Sequence, residues 1–157
     1  MPIALYVIGK TNLEGVAPLT QRYLTMVRRF VGMEYVEIPD LKKVSHMPIK
    51  TRVQKEASLF ESYLKPSDTL ILLDEKGSLF SSVALSEKLN GWMLHCPGRL
   101  VFLIGGAYGF CDTLKQKAHS TLSLSKLTFN HQMVRALFCE QLYRSFTLIK
   151  GLPYHNE

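Results

Sequence analysis

The sequence predicts an α/β fold in which helices cover a largely parallel sheet. Short apolar runs rich in branched residues alternate with longer segments of helical period, which is the pattern of strand, crossover helix and strand again. Two of those runs, Thr69–Leu73 and Arg99–Ile104, are almost unbroken Val, Leu, Ile and Phe, as befits central strands buried on both faces. A chain of 157 residues, 46% hydrophobic and 20% charged, is the size of one compact core, so residues 1–157 are expected to form one domain.

The expected strands are Ala4–Ile8, Glu34–Ile38, Thr69–Leu73, Arg99–Ile104 and a shorter one near Leu122–Leu124. Between them, Val53, Ala57, Phe60 and Leu64 recur at steps of four, three and four, predicting a helix over Lys50–Leu64 that Pro66 stops. A second helix is expected over Ser82–Leu94, and a short one opening on Asp112 as its N-cap. The last, from His131 to Ile149, carries Val134, Leu137, Phe138, Leu142 and Phe146 on one side. The stretch Asp40–Ile49, with Pro48 and several polar residues, reads as an exposed loop.

A formal charge of +6 draws the chain towards polyanions, nucleic acid or an anionic membrane surface. Lys42, Lys43, Lys50, Arg52 and Lys55 gather where Asp40 is the only acid, either a solvated basic face or an RNA contact. No apolar run reaches the roughly 18 residues of a membrane span, and no basic stretch precedes the apolar N-terminus, so a cytoplasmic protein is expected. Cys96, Cys111 and Cys139 are widely spaced, without a C-x-x-C pair or a histidine at ligand spacing, and read as reduced core residues with no metal.

Three segments could carry chemistry. Ile104-Gly105-Gly106-Ala107-Tyr108-Gly109 follows a buried strand, and glycines there either make a tight turn or let backbone approach a ligand. A dinucleotide fingerprint wants G-x-G-x-x-G and a later acid, neither of which is present. The run from Leu122 to His131 is rich in hydroxyls, suited to the polar edge of an adenine or ribose, or equally to capping the last helix. The tail Gly151-Leu152-Pro153-Tyr154-His155 combines a stiffening proline, a stacking ring and an imidazole; it is a free end or part of a site.

Taken together, Leu73-Asp74, Ile104-Gly105-Gly106, the run Ser123 to His131, Arg135, Glu140-Gln141-Leu142-Tyr143-Arg144 and Pro153-Tyr154-His155 resemble, in order and spacing, the ribosomal RNA large subunit methyltransferase H family. That family is a minimal member of the SPOUT, or α/β-knot, class, and the likeness runs from the opening strand closed by Gly9-Lys10 to the tail. The resemblance implies a C-terminal trefoil knot, a homodimer, and S-adenosylmethionine as methyl donor to ring nitrogen N3 of a pseudouridine in large-subunit (23S) ribosomal RNA or a ribosomal particle. It also implies a cofactor site of Leu73, Gly105, Leu124, Ser125, Lys126, Leu127, Thr128 and Phe129. Asn130 stands where the family more often has proline, so a side chain rather than a ring is expected to prepare the last helix.

The imide nitrogen must lose a proton to become a strong nucleophile, so something must accept the proton or stabilise the anion. Candidates are His155 as base or orienting donor, Tyr154 for stacking on the target ring, and Arg144 for phosphate or developing charge. Two rivals remain: a non-catalytic RNA-binding knot protein, and a nucleotide-binding regulatory domain built on the glycine turn.

Overall fold

A computed structural model describes residues 2–156. Five parallel strands form one sheet in the order β2-β1-β4-β3-β5. They are β1 (Ile3–Ile8), β2 (Met33–Ile38), β3 (Thr69–Leu79), β4 (Leu100–Ile104) and β5 (Ser120–Ser123). The helices are α1 (Val16–Val27), α2 (Ile49–Glu61), α3 (Ser82–His95), α4 (Asp112–Lys117) and α5 (Met133–Ile149).

Alternation along the central strands sorts the core into two layers, because successive side chains leave opposite faces of a sheet. Ile3, Leu5 and Val7 of β1 with Phe102 and Ile104 of β4 face a cluster closed by Leu24 and Val27 of α1, Leu85 and Leu89 of α3, and Phe138, Leu142 and Phe146 of α5. Ala4, Tyr6 and Ile8 with Val101 and Leu103 face Val53, Ala57 and Phe60 of α2 and Leu114 of α4. Phe102 meets Phe138 at a ring-centroid distance of 4.8 Å, linking the central strand to the last helix.

Several elements differ from their sequence-based outlines. Helix α1 was not expected at all; it opens after Gly15 in the left-handed conformation and buries Val16, Thr20, Leu24 and Val27. Helix α2 ends at Glu61, ahead of Pro66, because Tyr63 and Leu64 bond back three residues to Phe60 and Glu61 and tighten the last turn. Asp112 is the first helical residue of α4 rather than its cap, which is Cys111. Strand β3 continues beyond Leu73 to Leu79, with its pairing to β5 shifting between Leu73 and Ser78. A Cβ on Gly77 would lie 2.8 Å from the Leu122 backbone, so a glycine is what lets β3 rejoin β5. Strand β5 starts at Ser120, two residues before its apolar part, because Ser120 already pairs with Ile71 at an edge where polar residues are tolerated. Helix α5 starts at Met133, and the Asn130 side chain accepts from the backbone amides of Gln132 (2.8 Å) and Met133 (3.4 Å), doing what the absent proline ring would otherwise do.

Two arginines, one buried and one half-buried, lock the layers. Arg135 of α5 is fully buried, and its guanidinium donates to the carbonyls of Ile8 (2.5 Å) and Gly9 (2.9 Å) and to Thr11 Oγ1 (2.8 Å), fixing the end of β1 on the last helix. Arg99 donates through Nε and Nη2 to both carboxylate oxygens of Asp68 (3.0 and 2.7 Å) and through Nη1 to Tyr6 Oη (2.6 Å) and Glu34 (3.2 Å). Cys111 and Cys139 are buried free thiols, and burial pushes the Cys139 thiol up to about 12, out of reach of redox or nucleophilic work.

Burial alone would raise the pKa of Asp68, but Arg99 and the Lys65 amide (2.7 Å) outweigh it and hold the carboxyl below its ordinary value. A depressed folded-state pKa contributes stability that is complete above the unfolded value near 4 and is lost as pH falls through the folded one. Asp68→Asn is therefore expected to cost on the order of 2 kcal/mol at pH 7, with the gap to wild type narrowing at pH 3. Urea unfolding at the two pH values measures it, and an equal loss at both would remove the electrostatic account.

Candidate functional site

The C-terminal ends of parallel strands are where chain leaves the sheet and a crevice opens. Here the ends of β3, β4 and β5, with the loop that leads into α5, enclose a cavity of about 530 Å³. That lies within the range of pockets that hold a cofactor-sized molecule. Leu73, Gly105, Leu124, Ser125, Leu127, Thr128 and Phe129 all line it. Lys126 alone of the expected set does not: its side chain is exposed and outside the lining.

The floor is the glycine turn. Gly105 is buried, and a Cβ there would sit 2.9 Å from the Gly109 carbonyl oxygen, so backbone packs where any side chain would intrude. Gly109 adopts φ 72, and its amide donates to Gly106 (3.2 Å), folding the turn back on itself and lifting Tyr108 onto the rim, 51% exposed.

The opposite wall is set by internal hydrogen bonds. Ser123 Oγ donates to the Ser125 carbonyl (2.8 Å), and Ser125 Oγ accepts from the Leu127 amide (3.0 Å), a turn made by the hydroxyl itself. Thr128 Oγ1 donates to Glu75 (2.9 Å), tying this loop to the irregular stretch of β3. Leu73, Leu122, Leu124 and Phe129 give the cavity apolar walls, while hydroxyls and backbone supply polar edges.

Several lining residues lie outside the cofactor set that the resemblance implied, among them Asp74, Glu75, His131 and Tyr108. Asp74 and Glu75 lie beyond the buried part of β3, with Asp74 paired to Lys115 of α4 at 3.1 Å. Their position just past a central strand was a signal, since ligands bind off strand C-termini. His131 also lines the cavity, and burial together with the nearby Arg135 guanidinium lowers its pKa, keeping the imidazole neutral. Tyr108 belongs to the glycine turn that the sequence singled out, and it lines the cavity as well.

Arg144, Tyr154 and His155 form a separate cluster, and none of the three lines the cavity. Arg144 pairs with Glu140 one turn earlier, and that hydrogen bond raises the guanidinium's pKa. Its guanidinium carbon lies 4.7 Å from the Tyr154 ring centroid, whose other contact is the edge-on ring of Tyr143 at 4.7 Å. Tyr154 Oη donates to Glu140 (3.0 Å), and burial, reinforced by the hydroxyl of Tyr23 and by Glu140, holds the phenol neutral well above its ordinary value. Arg144 Nη1 lies 3.3 Å from His155 Nδ1, and since a guanidinium only donates, Nδ1 is the acceptor, the tautomer that leaves the ring N–H at Nε2. The tail is thus anchored through two residues of the α5 helix.

Among the described residues no group of His, Cys, Asp and Glu is arranged to hold a metal ion, and no helix is long and apolar enough to cross a membrane.

A family model described as "Predicted SPOUT methyltransferase" matches residues 1–155. A ribosomal RNA large subunit methyltransferase H from Flavobacterium johnsoniae is 43% identical over 157 residues, the whole of both chains. Its counterpart from Parabacteroides distasonis is 41% identical over the same full length. In three dimensions, the crystal structure of a "Probable Methyltransferase" from Bordetella pertussis superposes with a TM-score of 0.52 at 9% identity, covering 92% of this chain and 93% of that one, a likeness of fold alone. The chain belongs to the SPOUT methyltransferase family and is a full-length relative of the ribosomal RNA large subunit methyltransferase H proteins.

Proposed function

We propose that this protein is a homodimeric, cytoplasmic methyltransferase that uses S-adenosylmethionine to methylate N3 of a pseudouridine in large-subunit ribosomal RNA. One observation carries the dimeric part of the reading: the cavity and the Arg144, Tyr154 and His155 cluster lie at separate places on one chain. Val134 lines the cavity at one end of α5, and Arg144 follows ten residues later, roughly 15 Å along the helix at about 1.5 Å per residue. A second copy of the chain brings a tail cluster to the cavity without unwinding that helix. Helices α1 and α5, packed on each other, leave Leu19, Met133 and Leu137 exposed, apolar surface suited to such a partner. The trefoil threading of the C-terminal third belongs to the same reading. It is supported by α5 packing on both α1 and α3 after the chain has left the far edge of the sheet at β5.

The cavity fits the cofactor by its own chemistry. Leu73, Leu122, Leu124, Leu127 and Phe129 offer faces to a flat ring, and Ser125, Thr128 and the backbone at Gly105 offer polar edges to an adenosine. When bound, S-adenosylmethionine supplies a methyl group already activated on a sulfonium. The chain's own work is therefore positioning and handling one proton. His155 presents Nε2–H, because Nδ1 is engaged by Arg144, so this arrangement makes it an orienting donor to a carbonyl of the target base rather than a base. Arg144, held charged beside Glu140, stabilises the anion that forms as the imide proton passes to solvent water. Tyr154 stays a neutral phenol and offers the ring surface that Arg144 and Tyr143 leave free.

Calorimetry with S-adenosylmethionine tests the pocket. Gly105→Val is expected to weaken binding by about tenfold or more, about 1.4 kcal/mol, because its Cβ meets the Gly109 carbonyl. An unchanged dissociation constant would place the cofactor elsewhere. Truncation after Leu152 is expected to leave that constant nearly intact and to lower methyl transfer to large-subunit particles by about a hundredfold or more; full activity would remove the tail from the site. At a cofactor concentration that leaves Gly105→Val mostly unloaded, mixing the two variants should give more activity than either alone, since a heterodimer pairs the intact tail of one chain with the intact cavity of the other. Failure of the mixture, with heterodimers formed, would argue for sites built within one chain.

A further inference from the structure

The rim of the cavity holds an arrangement that the methyl-transfer chemistry does not use. Arg52 of α2 lies with its guanidinium carbon 5.2 Å from the centroid of the Tyr108 ring, at the tip of the glycine turn. Arg52 is itself held from behind: its Nε donates to Glu56 Oε1 at 3.4 Å, one helical turn on. Glu56 is only 2% exposed, its Oε2 has no protein partner, and its Oε1 lies so near Gly106 that a Cβ there would be 2.9 Å away. A carboxylate buried at the base of the glycine turn thus fixes the direction of an arginine, and the arginine lies on a tyrosine that is half exposed on the cavity lining.

We propose that Tyr108 and Arg52 form a platform on the cavity rim that binds the RNA strand carrying the target nucleotide, the ring stacking on a base and the guanidinium facing a backbone phosphate. The inference rests on the reading of the protein as an RNA methyltransferase and adds a binding element to it. Three features favour RNA over the cofactor as the occupant. Tyr108 is 51% exposed at the tip of its turn, whereas Gly105 at the floor is buried. A guanidinium repels a sulfonium and attracts a phosphate. Arg52 also continues the basic stretch of Lys42, Lys43, Lys50 and Lys55, all on the exposed β2–α2 loop or on α2, so a strand tracking that charge arrives at Tyr108. Arginine and tyrosine together are a common pairing for unstacked RNA bases, which offer a flat face and a nearby phosphate.

The test measures binding of the full-length protein to large-subunit ribosomal particles lacking the methyl group, as a function of salt, alongside calorimetry with S-adenosylmethionine. Tyr108→Ala should weaken particle binding by about tenfold, as expected for loss of a base–aromatic stack, while Tyr108→Phe keeps it and the cofactor dissociation constant stays within about twofold of wild type. Arg52→Gln should lower the salt slope by about one. Lys88→Gln, which removes a cation from the face of Trp92 on α3, should change neither. Thermal melting confirms folding, and Tyr108, being exposed, can be truncated without opening the core. Unchanged particle binding in Tyr108→Ala would overturn the proposal, as would a parallel loss of cofactor affinity, which would make the ring part of the cofactor pocket. Absence of cofactor binding by the wild-type protein would sink the methyltransferase reading and still leave the particle-binding comparison readable.

Discussion

Strand β3 is paired in parallel on both sides, to β4 through Leu73↔Ile104 and to β5 through Leu73↔Leu122, and the site depends on that constraint. The in-register pairing brings three chain segments to one level of the sheet and then releases them together. Beyond it, β3 runs on through Asp74, Glu75 and Lys76, β4 turns at Gly105, and β5 gives way to the hydroxyl-rich loop. None of these segments could make the cavity alone, since each supplies one wall. The close contact at Gly77 follows from the same crowding, since a Cβ there would meet the β5 backbone at Leu122, whereas Gly105 is crowded by its own turn folding back at Gly109.

The last helix carries this geometry to the tail. Its first turns are pinned by Arg135 to the end of β1 and by Gln132, whose Oε1 accepts from the amides of Asn12 and Leu13 at 2.9 and 2.8 Å. A buried guanidinium with carbonyls and a hydroxyl in place of a carboxylate is held by the carbonyl dipoles that converge where β1 ends. Removing it would strand those carbonyls, so this end of the helix has one orientation. The far end is then equally determined, and Glu140 and Arg144 hold Tyr154 and His155 at a fixed place relative to the sheet although the last residues belong to no helix or strand.

Much of this was legible in the sequence where a single property decided the outcome. Continuous apolar runs gave away the central strands, because only burial on both faces tolerates them. The glycine turn and the hydroxyl run were legible as a candidate site through their order along the chain, and the fold brings both to the lining of one cavity. Helix α1 was missed although Val16, Thr20, Leu24 and Val27 recur at helical steps, because Thr20 interrupts the apolar stripe and Gly15 supplies no capping side chain. The continuation of β3 was hidden by Asp74, Glu75 and Lys76, polar residues inside a strand that tertiary pairing resumes only at Ser78. Glu56 was unreadable for another reason: at a helical spacing it looks like a solvated acid, and it is buried where the glycine turn after β4 approaches it at Gly106.

The tail cluster also limits how charge can be used. Arg144 commits Nη2 to Glu140 and Nη1 to His155, so two of its donor directions are already taken while its positive charge is largely offset by the carboxylate. A phosphate or a ring anion that comes to this arginine must share it with Glu140, which makes the cluster selective for a ligand that is well oriented as well as negative. Tyr154 sharpens that condition, because its hydroxyl donates to the same Glu140 oxygen that Arg144 engages. Any ligand that draws Arg144 away therefore disturbs the tyrosine too, and ring, imidazole and guanidinium respond as one unit. In the role proposed for these residues, such coupling would favour a planar anionic base presented edge-on with its ring stacked over a bare phosphate, which would compete for the charge without using the ring.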